Sequence, residues 1–160
     1  MSWDRRPIEI ASLLNPAFCG EVIRRCIVSF EEVESEPFPF PLVYLVLPIV
    51  LHTKTRETMR SERQLHVWLQ SHEDMKIGFA DRTRQLVPIT KEAILFLLQV
   101  HAITFDDQAR LSTAHYRRRV PQSQKEGEIE SCYKAAGVIG RWFARAGSVT
   151  TIYVLWGVRP

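Results

Sequence analysis

Residues suited to acid–base, nucleophilic or metal chemistry are scattered along this sequence of 160 residues. The two histidines closest in sequence, His66 and His72, are six positions apart and would not share a face of one helix. The sequence contains no His-x-x-x-His or His-Glu-x-x-His pattern. The spacing therefore predicts neither a metal site nor a bound cofactor. The other histidines are His52, His101 and His115.

The cysteines point to a reducing compartment. The sequence has an odd number of cysteines, namely Cys19, Cys26 and Cys132. Cys19 and Cys26 would lie about 10 Å apart on one helix, which is too far for a disulfide. We interpret them as buried, reduced thiols of a cytoplasmic protein. The most apolar stretch, residues 41–51, is about half as long as a bilayer span, so no membrane contact is expected.

Enzymatic signatures are missing from the sequence. It has no Gly-x-Ser-x-Gly elbow, no Gly-rich phosphate loop and no dinucleotide fingerprint. The acidic run of residues 31–36 is typical of a solvated face, and Asp106 with Asp107 is typical of a tight turn. We predict that the protein is not an enzyme, since a small hydrolase would need titratable groups that converge in a polar pocket.

Basic residues form short runs that could bind phosphates. Arg56 and Arg60 lie in one run, and Arg117, Arg118 and Arg119 form another. The net charge is only +3, which neither requires nor excludes nucleic acid. We favour a solvated surface for these runs and keep residues 117–119 as candidate nucleic-acid contacts.

Large aromatic residues and arginines gather in the last twenty-one residues of the sequence. They either close the core, which is the commoner outcome, or anchor a partner, because Trp and Arg dominate interface anchors. We predict one partner-binding set from this segment and a second set from Arg56 and Arg60. The first set is Arg141, Trp142, Trp156 and Arg159.

Apolar periodicity and caps predict a mainly α protein with a small β-hairpin. Residues 149–156 suit either a helix capped by Ser148 or a strand, and we favour the helix. The predicted helices span residues 8–14, 17–34, 42–52, 61–72 (capped by Ser61), 74–86, 91–101 (capped by Thr90) and 128–146, and the strands span 103–105 and 111–113.

Three helices followed by a hairpin is the order of a winged helix-turn-helix. We therefore expect a single winged-helix-like domain with added N- and C-terminal helices. Its parts would be residues 1–36, the helices and hairpin wing of 41–114, and the last helix and tail of 124–160. Such a fold can bind DNA or serve as a protein-docking module, so the fold alone does not fix the function.

Segments across nearly the whole chain resemble a known family, the middle components of three-component ABC systems. The segments are RPIEIASLLNPAFCG (6–20), PFPL (39–42), LVLPIVLH (45–52), TR (55–56), GRWFA (140–144), AG (146–147), and TIY through WGVRP (151–160).

This resemblance implies a winged-helix adaptor of bacterial defence against phages or plasmids. Its partners would be an SMC-like ABC ATPase and a variable effector, a nuclease or another toxic enzyme. The ATPase would sense foreign DNA, so DNA contact by this chain would be indirect. The sequence leaves a homodimer open. No catalytic residue is carried over. The alternative is a stand-alone DNA-binding winged-helix regulator, which would bind duplex DNA with a steep salt dependence.

Overall fold

The computed structural model describes residues 14–59, 64–116 and 127–160. These residues are mainly helical and include a small three-stranded antiparallel sheet with strand order β1-β3-β2. The helices are α1 (Pro16–Val33), α2 (Val43–Val50), α3 (Thr53–Thr58), α4 (Leu65–Ser71), α5 (Phe79–Gln99), α6 (Gly127–Arg145) and α7 (Val149–Leu155). The strands are β1 (Phe38–Pro39), β2 (Ile103–Phe105) and β3 (Arg110–Thr113), and short 3-10 turns cover Phe40–Leu42 and Glu73–Lys76.

Helix α1 begins where the sequence predicts. The side chain of Asn15 accepts a hydrogen bond from the Phe18 N–H at 2.8 Å, and Pro16 occupies the first turn, where its missing N–H costs nothing. One face of α1 is fully buried and contacts both α5 and α6. That face includes the thiols of Cys19 and Cys26, which confirms that they are buried.

Helix α2 is buried nearly all round, as its composition predicts. It forms a helix despite Pro48, and the rival interpretation of this segment as a strand is wrong. Phe38, just before it, is completely buried and packs edge-on against Phe30 at 5.1 Å between ring centroids. The proline-rich segment is therefore held onto the core through Phe38, and Phe40 is half-buried.

The sequence-based division between residues 86 and 91 is wrong, because α5 runs unbroken over 21 residues. Thr90 is not a cap; it lies inside the helix and is 1% exposed. The helix continues past Pro88, which is exposed, as is Arg84 one turn earlier, so the disturbance that a proline causes falls on the solvated side of the helix. Gly78 is the cap, with a φ of 72° that favours glycine.

The winged-helix expectation depends on three separate helices before the hairpin. Because α5 is unbroken, the second and third of these are one helix. The hairpin of β2 and β3 is confirmed, with Phe105 opposite Leu111. The sheet gains a third strand, because Phe38 of β1 pairs with Leu111 of β3. The winged-helix assignment is thus not confirmed, whereas the mainly helical fold with a small sheet is.

The last two predicted elements are both helices. Helix α6 matches the predicted range within one residue at each end. In α7 the Ser148 hydroxyl accepts from the Thr151 N–H at 3.2 Å, so the helical alternative for residues 149–156 is confirmed. The predicted helix over residues 8–14 and the Ser61 cap lie outside the described residues, apart from Leu14. The division of the chain into a single domain with three parts stays a prediction.

Helices α1 and α6 cross in close contact at Gly140. A Cβ atom added at this glycine would lie 2.2 Å from the Cys26 carbonyl oxygen and 2.9 Å from the Phe30 nitrogen. Both are backbone atoms, which cannot move aside as a side chain can. Glycine is therefore required at residue 140 for the two helix backbones to approach this closely.

We expect Gly140→Ala to destabilise the fold by about 3 kcal/mol, the upper range for overpacking, because the α1 backbone must shift. Urea unfolding followed by circular dichroism measures this change. Gly137→Ala is the matched control: the added Cβ would lie 3.3 Å from the Ser29 hydroxyl, a side chain that can rotate. Equal stabilities of the two variants would contradict the close-crossing explanation.

Candidate partner-binding surfaces

The two tryptophans of the first predicted partner-binding set lie in the core. Trp142 is 0% and Trp156 is 1% exposed. The ring of Trp142 packs 5.2 Å from that of Trp68, and the ring of Trp156 stacks on Phe79 at 4.5 Å. These two rings close the core, which is the commoner of the two outcomes expected from the sequence. Docking by these two side chains stays a prediction.

The arginines of that set lie at the surface. Arg159 is exposed, and Arg141 is half-buried on α6. The Arg141 Nη1 atom lies 3.5 Å from the position that a Cβ of Gly137 would occupy, so the guanidinium group covers that glycine. Neither arginine makes a hydrogen bond or ion pair within the described residues.

Arg56, from the second predicted set, is used inside the fold. Its side chain is only 5% exposed, Nη1 donates to the Val50 carbonyl at 2.8 Å, and Nη2 donates to Glu128 at 2.9 Å. It therefore joins the end of α2 to the start of α6. An open groove of about 460 Å³ lies beside it, with Met59 and Lys134 among its lining residues. Arg60, Arg117, Arg118 and Arg119 lie outside the described residues.

A buried charge cluster that we did not single out from the sequence lies on α1. Glu21 is 1% exposed and accepts hydrogen bonds from Arg24 at 2.8 and 2.9 Å and from Arg25 at 2.9 Å. Burial by itself raises the pKa of the Glu21 carboxyl, but the hydrogen bonds and charges of the two arginines together hold that pKa below its ordinary value. The carboxylate stays ionised and fixes both guanidinium groups.

The same two arginines lie over aromatic rings. The Arg25 guanidinium lies 4.3 Å from the centre of the Tyr133 ring, and that of Arg24 lies 5.8 Å from the Tyr116 ring. Beside them is an open groove of about 330 Å³ between α1 and α6, here called the α1–α6 groove. It is lined by Arg24, Arg25, Val28, Ser29, Tyr133 and Gly137. The (i, i+3) and (i, i+4) spacing from Glu21 is the signal in the sequence that could have revealed this cluster.

A surface of opposite charge lies at the sheet. Asp106 accepts from the Arg110 side chain and from two backbone N–H groups, and Arg110 also pairs with Glu36 at 2.8 Å. The carboxylate of Glu31 binds the backbone N–H and hydroxyl of Thr113. We call this the sheet-end surface; its charged side chains include Glu31, Glu36, Asp106, the adjacent Asp107 and Arg110.

Aromatic rings accompany these carboxylates. Phe105, at the end of β2, is 43% exposed, and its ring lies 5.4 Å from that of Phe40, which packs in turn on Tyr44 at 5.5 Å. Phe105 is therefore an exposed aromatic ring of the kind that is enriched in protein interfaces.

The buried nucleophiles are held in their protonated forms. Burial raises the pKa of the Cys26 thiol well above its ordinary value, and raises that of Cys132 as well. Burial, together with Tyr44, raises the pKa of Tyr153 to about 12, and its hydroxyl donates to the Pro41 carbonyl. Over residues 14–59, 64–116 and 127–160, His, Cys, Asp and Glu side chains nowhere gather in threes to hold a metal ion. Within the same ranges every helix is too short or too polar to cross a bilayer.

These features define a small, mainly helical protein in whose described residues charged side chains form ion pairs within the fold and two surfaces of opposite sign. Comparison with known proteins makes the class specific. The chain belongs to the family described as ABC-three component (ABC-3C) system Middle Component 3, which it matches over residues 3–160. The family resemblance read from the sequence is thereby confirmed. No curated protein and no solved structure matches the chain.

Replacing Arg56 by Gln should lower the free energy of unfolding by about 2 kcal/mol, because the bonds to Val50 and Glu128 come from a charged and buried donor. Chemical denaturation measures the effect. Arg84→Gln is the control, since Arg84 is exposed and pairs only with Asp81 one turn away, a contact worth at most about 0.5 kcal/mol. If both variants unfold at the same urea concentration, Arg56 does not join α2 to α6.

Stability should fall as the pH drops below about 6.5 because of His52. Burial, followed by the charges of Arg82, Lys54 and Arg56, lowers its pKa from the ordinary 6.5. The unfolded chain thus binds the proton more readily, and the stability present above about pH 6.5 is lost as the pH falls through the folded pKa. His52→Gln should flatten this dependence of the melting temperature, whereas His66→Gln, at an exposed site, should leave it unchanged.

Proposed function

We propose that this chain is a non-catalytic adaptor that links an SMC-like ABC ATPase to an effector protein in a bacterial defence complex. The effector would be a nuclease or another toxic enzyme, and the complex would act in the cytoplasm against phages or plasmids. Membership of the middle-component family carries the proposal, because the match covers nearly the whole chain.

The two charged surfaces support an adaptor role. The α1–α6 groove is basic and the sheet-end surface is acidic, and both include residues of α1. Surfaces of opposite charge would recognise different partners, because complementary potentials select the right partner and like charges reject the wrong one. A protein that joins two partners needs such a division.

The packing of α1 suits a mechanical link. Its buried face contacts α6 and α5 at once, and the Gly140 crossing leaves little room for sliding. Tightly packed interiors are stiff and transmit displacement. A movement that ATP binding produces in one partner could therefore pass through α1 to the other partner, because this domain would deform little.

The stand-alone DNA-binding regulator is less well supported. In a winged helix the hairpin tip approaches the phosphate backbone, but here the hairpin turn carries Asp106 and Asp107. Helix α5 exposes Asp81 beside Arg84 and Lys91, a mixture of charges that suits water better than a DNA groove. We therefore propose that contact with DNA is indirect, through the assembled complex.

Co-expression with the two other components of the same system tests the adaptor. With the tag on the ATPase, the effector should co-purify when this chain is present and be lost when the chain is omitted. Arg141→Ala together with Arg159→Ala tests the surface residues of the first predicted set without disturbing the buried tryptophans. Full recovery of the effector without the chain would contradict the proposal. Tight binding of duplex DNA by the chain alone, with a steep salt dependence, would favour the regulator.

A further inference from the structure

Arg141 differs from the other half-buried arginines of the described residues. Arg24, Arg25, Arg56, Arg82 and Arg110 each donate to a carboxylate or a backbone carbonyl. Arg141 makes no such contact within residues 14–59, 64–116 and 127–160, and its nitrogen atoms are not among the buried polar atoms that lack a partner, so they remain accessible to water. An accessible guanidinium group that has no acceptor among these residues can donate hydrogen bonds to an acceptor from another molecule.

Arg141 lies at the edge of the α1–α6 groove. Its Nη1 atom covers Gly137, which lines the groove and offers no side chain to obstruct it. Arg25 extends toward the same groove: its Nε binds Glu21, which leaves its terminal nitrogens without an acceptor in the part of the chain that the structure describes. Arg25 thus lines the opening, and the Arg141 guanidinium group lies at its edge beside Gly137.

The groove is positively charged and pre-ordered. Glu21 pairs with both Arg24 and Arg25, and Arg141 adds a third guanidinium group beside Gly137, so positive charge exceeds negative charge among these four side chains. Glu21 and the ring of Tyr133 hold Arg25 in place. Little side-chain entropy would therefore be lost when an anion binds.

We propose that the α1–α6 groove is the docking site for an acidic segment of one of the two partner components, a segment that places an Asp or Glu carboxylate between Arg141 and Arg25. The inference rests on the adaptor function proposed above. A carboxylate matches the planar fork of arginine with two parallel hydrogen bonds. Val28 and the Tyr133 ring would accept an apolar side chain next to that carboxylate.

The shape and charge of the groove favour a protein segment over nucleic acid. A volume of about 330 Å³ accommodates a few side chains. Duplex DNA carries a charge about every 1.7 Å and needs a broad basic surface, whereas this chain has a net charge of only +3. The exposed Lys134 on the same helix is paired with Glu130, which further limits the positive area.

The test measures binding of the full-length chain to each purified partner component, at low and at high salt. Arg141→Glu should weaken binding to one component by about tenfold or more, since a buried partner charge is then opposed by a like charge. Gly137→Leu should have a similar effect by filling the groove without changing its charge. Arg145→Glu, one turn further along α6 and exposed, is the matched control and should bind as the wild type does.

Each outcome decides a different question. Melting temperatures close to that of the wild type establish that the variants are folded. If Arg141→Glu does not fold, Gly137→Leu still tests the groove. If folded variants of residues 137 and 141 bind both components like the wild type, the groove is not a docking site, while the adaptor function stands. If the wild-type chain binds neither component, the adaptor function itself fails. Loss of duplex DNA binding in Arg141→Glu with unchanged protein binding would overturn the proposal in favour of nucleic acid.

Discussion

The contact between α1 and α6 at Gly140 is the constraint on which the rest of this structure depends. It brings the Cys26 and Phe30 backbone so close to α6 that a single methyl group does not fit. This approach creates the α1–α6 groove, because Arg25 of α1 and Tyr133 of α6 can then meet. It also fixes the direction in which α6 leads to the tryptophan cluster. One residue without a side chain thus sets the positions of both the core and the charged surface.

Much of the fold could be predicted because local signals were strong. Asn15 and Pro16 mark the start of α1, Ser148 marks α7, and the hairpin has alternating residues on either side of an aspartate turn. The division of α5 failed because Thr90 has the residue type of a cap but lies on the buried face of a long helix. Tertiary burial of Ile89, Ala93 and Leu97 outweighed that local preference.

The surfaces could be predicted only in part, because exposure depends on contacts between segments distant in sequence. Trp142 and Trp156 have the residue type of interface anchors, yet they meet Trp68 and Phe79 and become core. Arg56 has the residue type of a surface contact, yet it reaches a partner seventy-two positions away in Glu128. By contrast, the Glu21 cluster is local to one helix, and its spacing was visible. What the sequence alone did not reveal was that a tyrosine from another helix lies beneath it.

The burial of the three native thiols makes selective labelling of an introduced cysteine practicable. Cys19, Cys26 and Cys132 are all inside the core, and they are the only cysteines of the sequence. Maleimide dyes react with an accessible thiolate, so a cysteine introduced on the outside would be labelled ahead of the native ones. Pairs of fluorophores could then be attached to this chain and to a neighbouring subunit without first rebuilding its interior. Energy transfer between them would report the distance between the two labelled subunits.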